Sequence, residues 1–527
     1  MMKTRSFLLS TLAVFIFAGC SSEDAREGNI PGGELDGKAY LSLSLQSHTA
    51  TSRAVNVEEK PGSSGESKAE TVRVLLFDEE DVCLDVVNFD GLTVGNSGGE
   101  SGGTGTPEAV ASDAKLVPEK TKKVFVVINP YADGNKGWNL TADAVKGKPW
   151  SVINTAIEAA IANIATNDNF MMASAGKGAG IEGALTGVTV HKPTAYTTDA
   201  INQAKTDAQN SPEEISVDRL SAKVELAVKA PFTTKPDGAT FAFSGWELSV
   251  TNKSVKLYSE LITYDNATNG AVYRRDKNYL KSEQPDLTSD METNMDAVFN
   301  YLKNIDNDAD LIPEVKRDKG TSCYCLENTM DANAQQLGFT TKVVVKAQYT
   351  PNVLTPNSSY FSWKGNYYTL DQLKEEYTKT GSGGLKTDLP IFLKKAKLVA
   401  GDADQSTIDN FITNLQASGL TAKTGIIGRF CAVRYYHESV CYYDVLIRHD
   451  QSVTDKMALG RYGVVRNNWY HLDLQSVSGP GTPWIPDPSD PDNPTPPDTD
   501  DDEADAYLSV KITINPWTYW TQGVDLH

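Results

Sequence analysis

Residues 507–527, YLSVKITINPWTYWTQGVDLH, open as an alternating apolar strand at the far end of a spacer of different character. That spacer, GPGTPWIPDPSDPDNPTPPDTDDDEADA (479–506), is rich in proline and aspartate. Proline favours an extended polyproline II path and crowded carboxylates repel, so it is expected to be stretched, not globular. Leu508, Val510, Ile512 and Ile514 share one face of the terminal strand, and such a strand has to pair with something. Near the other end, AYLSLSL (39–45) begins with the same letters as AYLSVKI (506–512). Tyr40 to Leu45 alternates strictly, with Leu41, Leu43 and Leu45 on one face and Tyr40, Ser42 and Ser44 on the other. This predicts a half-buried strand. Superposing the two stretches pairs Leu41 with Leu508, Leu43 with Val510 and Leu45 with Ile512. The apolar face is the same in both, and a slip of one residue would reverse it.

The β pattern continues between them. TVRVLLFD (71–78), KKVFVVINP (122–130) and ISVDRLSAKVELAVKA (215–230) are rich in Val, Ile and Phe. GNSGGESGGTGTPE (95–108) reads as a loop. INTAIEAAIANIAT (153–166) sets Ile153, Ile157, Ile161 and Ile164 at helical spacing and predicts a helix packed on a sheet. From Ala239 onward, strands are expected at 240–252, 341–351, 360–370, 429–439, 441–450 and 467–477, the 360–370 stretch as a hairpin about Gly365-Asn366. Short strands with few helices predict a mainly β chain of two sandwiches, divided here into 54–238 and 239–478.

The first twenty residues, MMKTRSFLLSTLAVFIFAGC, have a basic start at Lys3 and Arg5 and an apolar stretch too short to span a bilayer. They end in Phe17-Ala18-Gly19-Cys20, which resembles a bacterial lipobox with Phe17 where Leu is usual. The expectation is cleavage before Cys20 and acylation of that residue, several acyl chains making a stable anchor. The alternative is an ordinary cleaved signal with an incidental cysteine. Ser21-Ser22-Glu23-Asp24 resembles the surface-export signal of Bacteroidetes lipoproteins. A formal charge of −20 lacks the basic footprint that nucleic-acid binding needs.

Motifs for chemistry are sparse, and no catalytic residue, metal or cofactor is assigned. There is no GxSxG, HExxH or Walker loop. Asp306, Asp308 and Asp310 begin like a calcium loop, but Leu311 stands where glycine is required and Arg317 where glutamate is. His437, His449 and His471 have no spacing that pairs them as ligands. Beyond Cys20 lie Cys83, Cys323, Cys325, Cys431 and Cys441, an odd number that cannot all pair. Cys323 and Cys325 would share one face of a strand, and Cys431 and Cys441 could bridge a hairpin.

The blocks Arg466-Asn467-Asn468 with Tyr470-His471, VFVVIN (124–129), Met171-Met172, and Arg219 with Ala222 and Lys223 form a recognisable set. With the tail from Ser509-Val510 through Pro516-Trp517 to Val524-Asp525-Leu526, the chain resembles the fimbrillin family of Bacteroidetes, subunits of type V pili. Within the family it is most similar to shaft subunits of short (minor) fimbriae. TSRA around Arg53 resembles the family's processing site. The resemblance implies two transthyretin-like β-sandwich domains, few helices and a C-terminal donor strand, and no enzymatic activity. It also implies a life history. A signal peptide (1–20) directs an outer-membrane lipoprotein acylated at Cys20. An Arg-specific protease cuts between Arg53 and Ala54, releasing a propeptide (21–53) that carries the displaced strand with Leu41, Leu43 and Leu45. The linker (479–505) then presents the donor strand (506–527), with Leu508, Val510, Ile512 and Ile514, to an identical subunit. Head-to-tail repetition yields a surface fimbria for cell adhesion, with accessory subunits as further partners. The alternative is a glycan-binding or glycan-degrading surface lipoprotein, with Trp138, Trp150 or Trp363 stacking on sugars.

Overall fold

A computed structural model describes residues 35–47, 60–63, 65–96, 111–133, 136–166, 169–176, 181–263, 272–276, 296–304, 315–379, 383–450, 453–501 and 508–518. The fold is mainly β. The main strands of the first part of the chain are β1 (Lys38–Leu41), β2 (Leu43–Ser47), β3 (Lys60–Pro61), which joins the second domain's sheet, β4 (Val72–Phe77), β5 (Cys83–Phe89), β6 (Val94–Asn96), β7 (Lys115–Pro118), β8 (Lys123–Ile128) and β9 (Met172–Ser174). They are followed by helix α1 (Thr198–Asn210) and β10 (Glu213–Arg219). The main sheet runs β5-β4-β8-β9-β10-β2-β6, and β1 leaves it to pair with β7. VFVVIN lies at its centre: Val124, Val126 and Ile128 face one core, and Phe125 and Val127 face the other. That is why this strand reads as a continuous apolar run.

β10 continues through Leu220 into β11 (Ser221–Thr234), which belongs to the second domain. The chain therefore passes between sheets at Leu220. The second domain adds β12 (Thr240–Ser249), β13 (Ser322–Leu326), β14 (Lys342–Thr350), the hairpin β15 (Tyr360–Trp363) and β16 (Asn366–Tyr368), and helices α2 (Leu370–Thr378), α3 (Gly383–Lys395), α4 (Gln405–Asn414) and α5 (Ala422–Ile427). It ends with β17 (Val433–Tyr436), β18 (Val440–Leu446), β19 (Asn468–Val477) and β20 (Leu508–Thr518). Sheet β13-β11-β19-β20-β3 packs on sheet β12-β14-β18. Between them lie Val224, Leu226, Trp246, Val343, Val345, Tyr443, Tyr470, Leu472 and Leu474. This is a sandwich with alternating inward residues. The helices α2–α4 form a satellite core with β15 and β17 through Leu373, Leu389, Phe392, Ile408 and Phe361.

Three local expectations are corrected. The stretch 153–166 is not one helix but single turns at Trp150–Ile153 and Ile161–Ile164, separated by a short strand, Ile157–Glu158. Ile157 and Glu158 pair with Val255 and Ser254, and the Asn154 amide bonds to the Tyr258 backbone, so sheet pairing displaces the helix the isoleucine spacing suggested. In the 360–370 hairpin the turn residues are Lys364 and Gly365, both with positive φ, one position before the predicted pair. Cys431 and Cys441 do not bridge; both are free, the first beside the helical core and the second inside the sandwich.

Candidate functional site

The first strand is held more completely than its alternation suggests. β2 lies between β10 and β6, parallel to both, and β1 runs antiparallel to β7. Leu41, Leu43 and Leu45 are fully buried with Val74, Val126, Ile215 and Val217. Fully burying three such side chains contributes about 5–9 kcal/mol before ordering costs. The opposite face, expected to be solvated, is buried too. Tyr40 packs on Ala204 and Ala208 of α1, and Ser42 and Ser44 are enclosed. The half-buried expectation fails because α1 covers Tyr40 and Ser112 bonds to Ser42. Cys20, Arg53 and Ala54 lie outside the described residues; the Arg53–Ala54 bond falls between β2 and β3.

The terminal strand completes its own domain's sheet in the single chain. β20 pairs antiparallel with β19, from Leu508 opposite Val477 to Pro516 opposite Asn468. Trp517 and Thr518 pair with Lys60 and Pro61 of β3. Leu508 is buried and Val510 packs on the sandwich core, while Ser509 and Lys511 are exposed. Ile512 and Ile514 stand opposite Leu472 and Tyr470 in the ladder, and their side chains lie outside the description.

The spacer is not a stretched, solvated tether over residues 479–501, and that expectation is corrected. Thr482 exchanges backbone bonds with Tyr442 on the edge of β18 (2.7 and 2.9 Å). The Tyr443 and Tyr436 hydroxyls donate to the carbonyls of Gly479 and Gly481. Ile485 is buried and bonded through its backbone to the Asn304 amide, and Asp490 is paired with Arg429 at 2.6 Å. Further on, the backbone groups of Pro497, Thr499 and Asp501 bond to 335–338. These specific partners overcome the tendency of a Pro/Asp-rich segment to extend.

The Arg466-Asn467-Asn468 block joins the domains. Arg466 is buried against Glu327 at 3.2 Å and donates to the carbonyls of Leu257 and Lys256, beside residues of the first domain's core. The Asn467 amide accepts from Arg219 (3.2 Å) and donates to Asp218 (2.8 Å), which also pairs with Arg274 at 2.5 Å. Arg219 donates to the Glu66 carbonyl at 2.8 Å. The Glu66 carboxylate is buried and accepts from Lys223 (2.8 Å), Tyr324 (2.5 Å) and the Ser63 N–H (2.6 Å). Burial alone would raise its pKa, but the Lys223 and Tyr324 hydrogen bonds, the Lys223 charge and the Ser63 N–H together hold it below the ordinary value. Lys223 also sits 3.8 Å from the centre of the Trp469 ring. The segment downstream of Arg53 is thus fastened at the joint by Glu66. Its partners lie far apart in sequence, so only the folded chain reveals them.

The remaining candidates do not converge. His437, His449 and His471 contact Tyr435, Tyr470 and the Glu225/Asp473 pair respectively. Among the described residues there is no group of three or more His, Cys, Asp or Glu side chains arranged for a metal. Cys323 and Cys325 face the same core, as their spacing predicts. Trp138 and Trp150 are buried and offer no open stacking face, and Trp363 is half-buried with its indole N–H donated to Asp388. The Asp306 segment lies outside the described residues.

Residues 434–523, which include the Arg-Asn-Asn joint, the packed spacer and β20, match the family described as major fimbrial subunit protein type IV, fimbrillin, C-terminal. The C-terminal region is therefore similar to the C-terminal part of fimbrillins. Among curated proteins none matches the chain. Solved structures similar to this chain include a candidate cell adhesion protein of Parabacteroides distasonis (13% identity, TM-score 0.41, covering 92% of this chain and 98% of that one). Others are a fimbrilin of Porphyromonas gingivalis (14%, 0.34, 92% and 99%) and the tip fimbrial protein Mfa3 of the same organism (11%, 0.33, 91% and 100%). The candidate site consists of the first strand in its slot and the terminal strand at the opposite end of the chain.

Proposed function

We propose that this fimbrillin chain is the polymerising shaft subunit of a surface fimbria that supports cell adhesion. It travels as an outer-membrane lipoprotein acylated at Cys20 and is cut after Arg53 by an Arg-specific protease. The cut frees β1 and β2 with the lipid. The terminal strand of another copy then fills the vacated slot, and head-to-tail repetition without closure gives a filament. The supporting observation is where Leu41, Leu43 and Leu45 sit. β2 is flanked on both sides, so its loss opens a slot within the main sheet, and the chain carries a second copy of the same alternation at its end. Cutting at Arg26 or Lys38 would leave the strand in place. The test is Arg53→Ala, which should yield lipidated monomers and no fibres; normal fibres from this variant contradict the proposal.

The docking of β20 on β19 supports a second reading, in which the terminal strand is a permanent part of its own sandwich. The two differ in what tail removal does. A donor strand can be deleted with the monomer still folded and only polymerisation lost, whereas a core strand cannot.

A further inference from the structure

Between β1 and β2 the first strand is gripped by one serine. Ser112 donates its backbone N–H to the Leu43 carbonyl at 2.9 Å, and the Leu43 N–H donates to the Ser112 hydroxyl at 3.0 Å. Ser42 donates its hydroxyl to the Ser112 carbonyl at 2.7 Å, and the two hydroxyl oxygens lie 3.5 Å apart. Both serines are buried. A buried hydroxyl or peptide group left without a partner is costly, so whatever occupies this slot with water excluded must satisfy Ser112 again. In the shared register of the two repeats, Ser509 takes the place of Ser42 and Val510 that of Leu43. Moving the incoming strand by one residue would present Leu508 or Val510 to these polar groups and turn the apolar face away from the core. Lys511 would replace Ser44, and its flexible stem lets the ammonium reach solvent.

Resting on the strand-replacement reading above, we infer that Ser112 is the register pin of the subunit contact. Ser509 of the partner subunit donates its hydroxyl to the Ser112 carbonyl, and Val510 of the partner subunit donates its N–H to the Ser112 hydroxyl and accepts the Ser112 N–H at its carbonyl, as Leu43 does. In the single chain Ser509 is exposed and opposite Ser476 in the second domain, so its side chain is spare there.

The test is cysteine pairing in processed, full-length protein. Ser112→Cys is combined in one chain with Ser509→Cys, Leu508→Cys or Val510→Cys, and each single variant serves as a control for the native thiols. The Ser42→Cys/Ser112→Cys precursor calibrates the site by bridging within one chain. The expected result is a ladder of disulfide-linked multimers on non-reducing gels for the 112/509 pair alone. A ladder from 112/508 or 112/510, or filaments from 112/509 with no ladder, overturns the pin while leaving strand replacement intact. Failure of processed wild-type protein to form filaments overturns the reading beneath it. Independently, Ser509→Ala should slow assembly about three- to tenfold, the worth of one hydrogen bond, without altering monomer unfolding, and Ser509→Thr should restore it. Equal assembly rates for all three proteins count against the pin.

Discussion

Arg466 and Glu327 form an ion pair of 3.2 Å with both side chains almost fully buried, at the joint between the two sandwiches. Glu327 also accepts from the Ser259 hydroxyl at 2.6 Å, so the carboxylate is satisfied from two elements. Removing one member strands the other charge away from water. Glu327→Ala and Arg466→Ala should each cost about 3–5 kcal/mol in denaturant unfolding. Replacing both with apolar residues of similar volume should cost less than either single change. Unfolding curves for the three variants check this directly.

Glu66 makes the docking of the segment downstream of Arg53 sensitive to acid. Its folded pKa lies below the ordinary carboxylate value of 4.5, so its contribution is present in full above that value. It is lost as pH falls through the lower folded value. The stability gap between the parent chain and Glu66→Gln should therefore be widest near neutrality and close on acidification. A gap that stays constant with pH would mean that the Lys223 and Tyr324 contacts act without the charge.

His471 has the opposite sign. Glu225, at 3.8 Å, and Asp473, at 3.2 Å, raise its pKa above 6.5 despite partial burial. The stabilisation is complete below the unfolded value and fades as pH rises through the raised folded one. Because the ring is partly solvated, the effect should stay under about 1 kcal/mol. Histidine titration by NMR in the parent and in Glu225→Gln should show the pKa fall in the variant.

Truncation after Asp501 separates the two roles of the terminal strand. Losing the buried Leu508 and the partly buried Val510 should lower stability by about 2–4 kcal/mol, yet leave one cooperative unfolding transition. The processed truncated protein should fail to polymerise. Loss of the cooperative transition would instead make β20 an indispensable part of its own core.

Much of the β framework was legible because strands with fixed faces write themselves as alternation. The terminal strand shows this directly, with Leu508 and Val510 inward and Ser509 and Lys511 outward. The first strand carries the same pattern and is buried on both faces, because Ala204 and Ala208 of α1 cover Tyr40. No local pattern reports a cover that arrives from so far along the chain. The helices between 370 and 427 carry local signals, such as the capping box of Thr369 and Gln372 and the Asp404 cap on Thr407, but they lie between aromatic segments whose strand pattern is stronger. The spacer misled because composition reports the preference of an isolated chain, whereas Tyr436, Tyr443, Asn304 and Arg429 supply partners that hold it down. The role of Asn467 was invisible for the same reason, since Asp218 and Arg219 reach it only in the folded chain.

The most direct test of strand replacement is limited Arg-specific proteolysis of the purified full-length protein, read by N-terminal sequencing and electron microscopy of the same sample. The account predicts a new terminus at Ala54, loss of residues 39–45 from the product, and filaments. Filaments built from chains that keep residues 39–45, or chains beginning at Ala54 that remain monomeric, would contradict it.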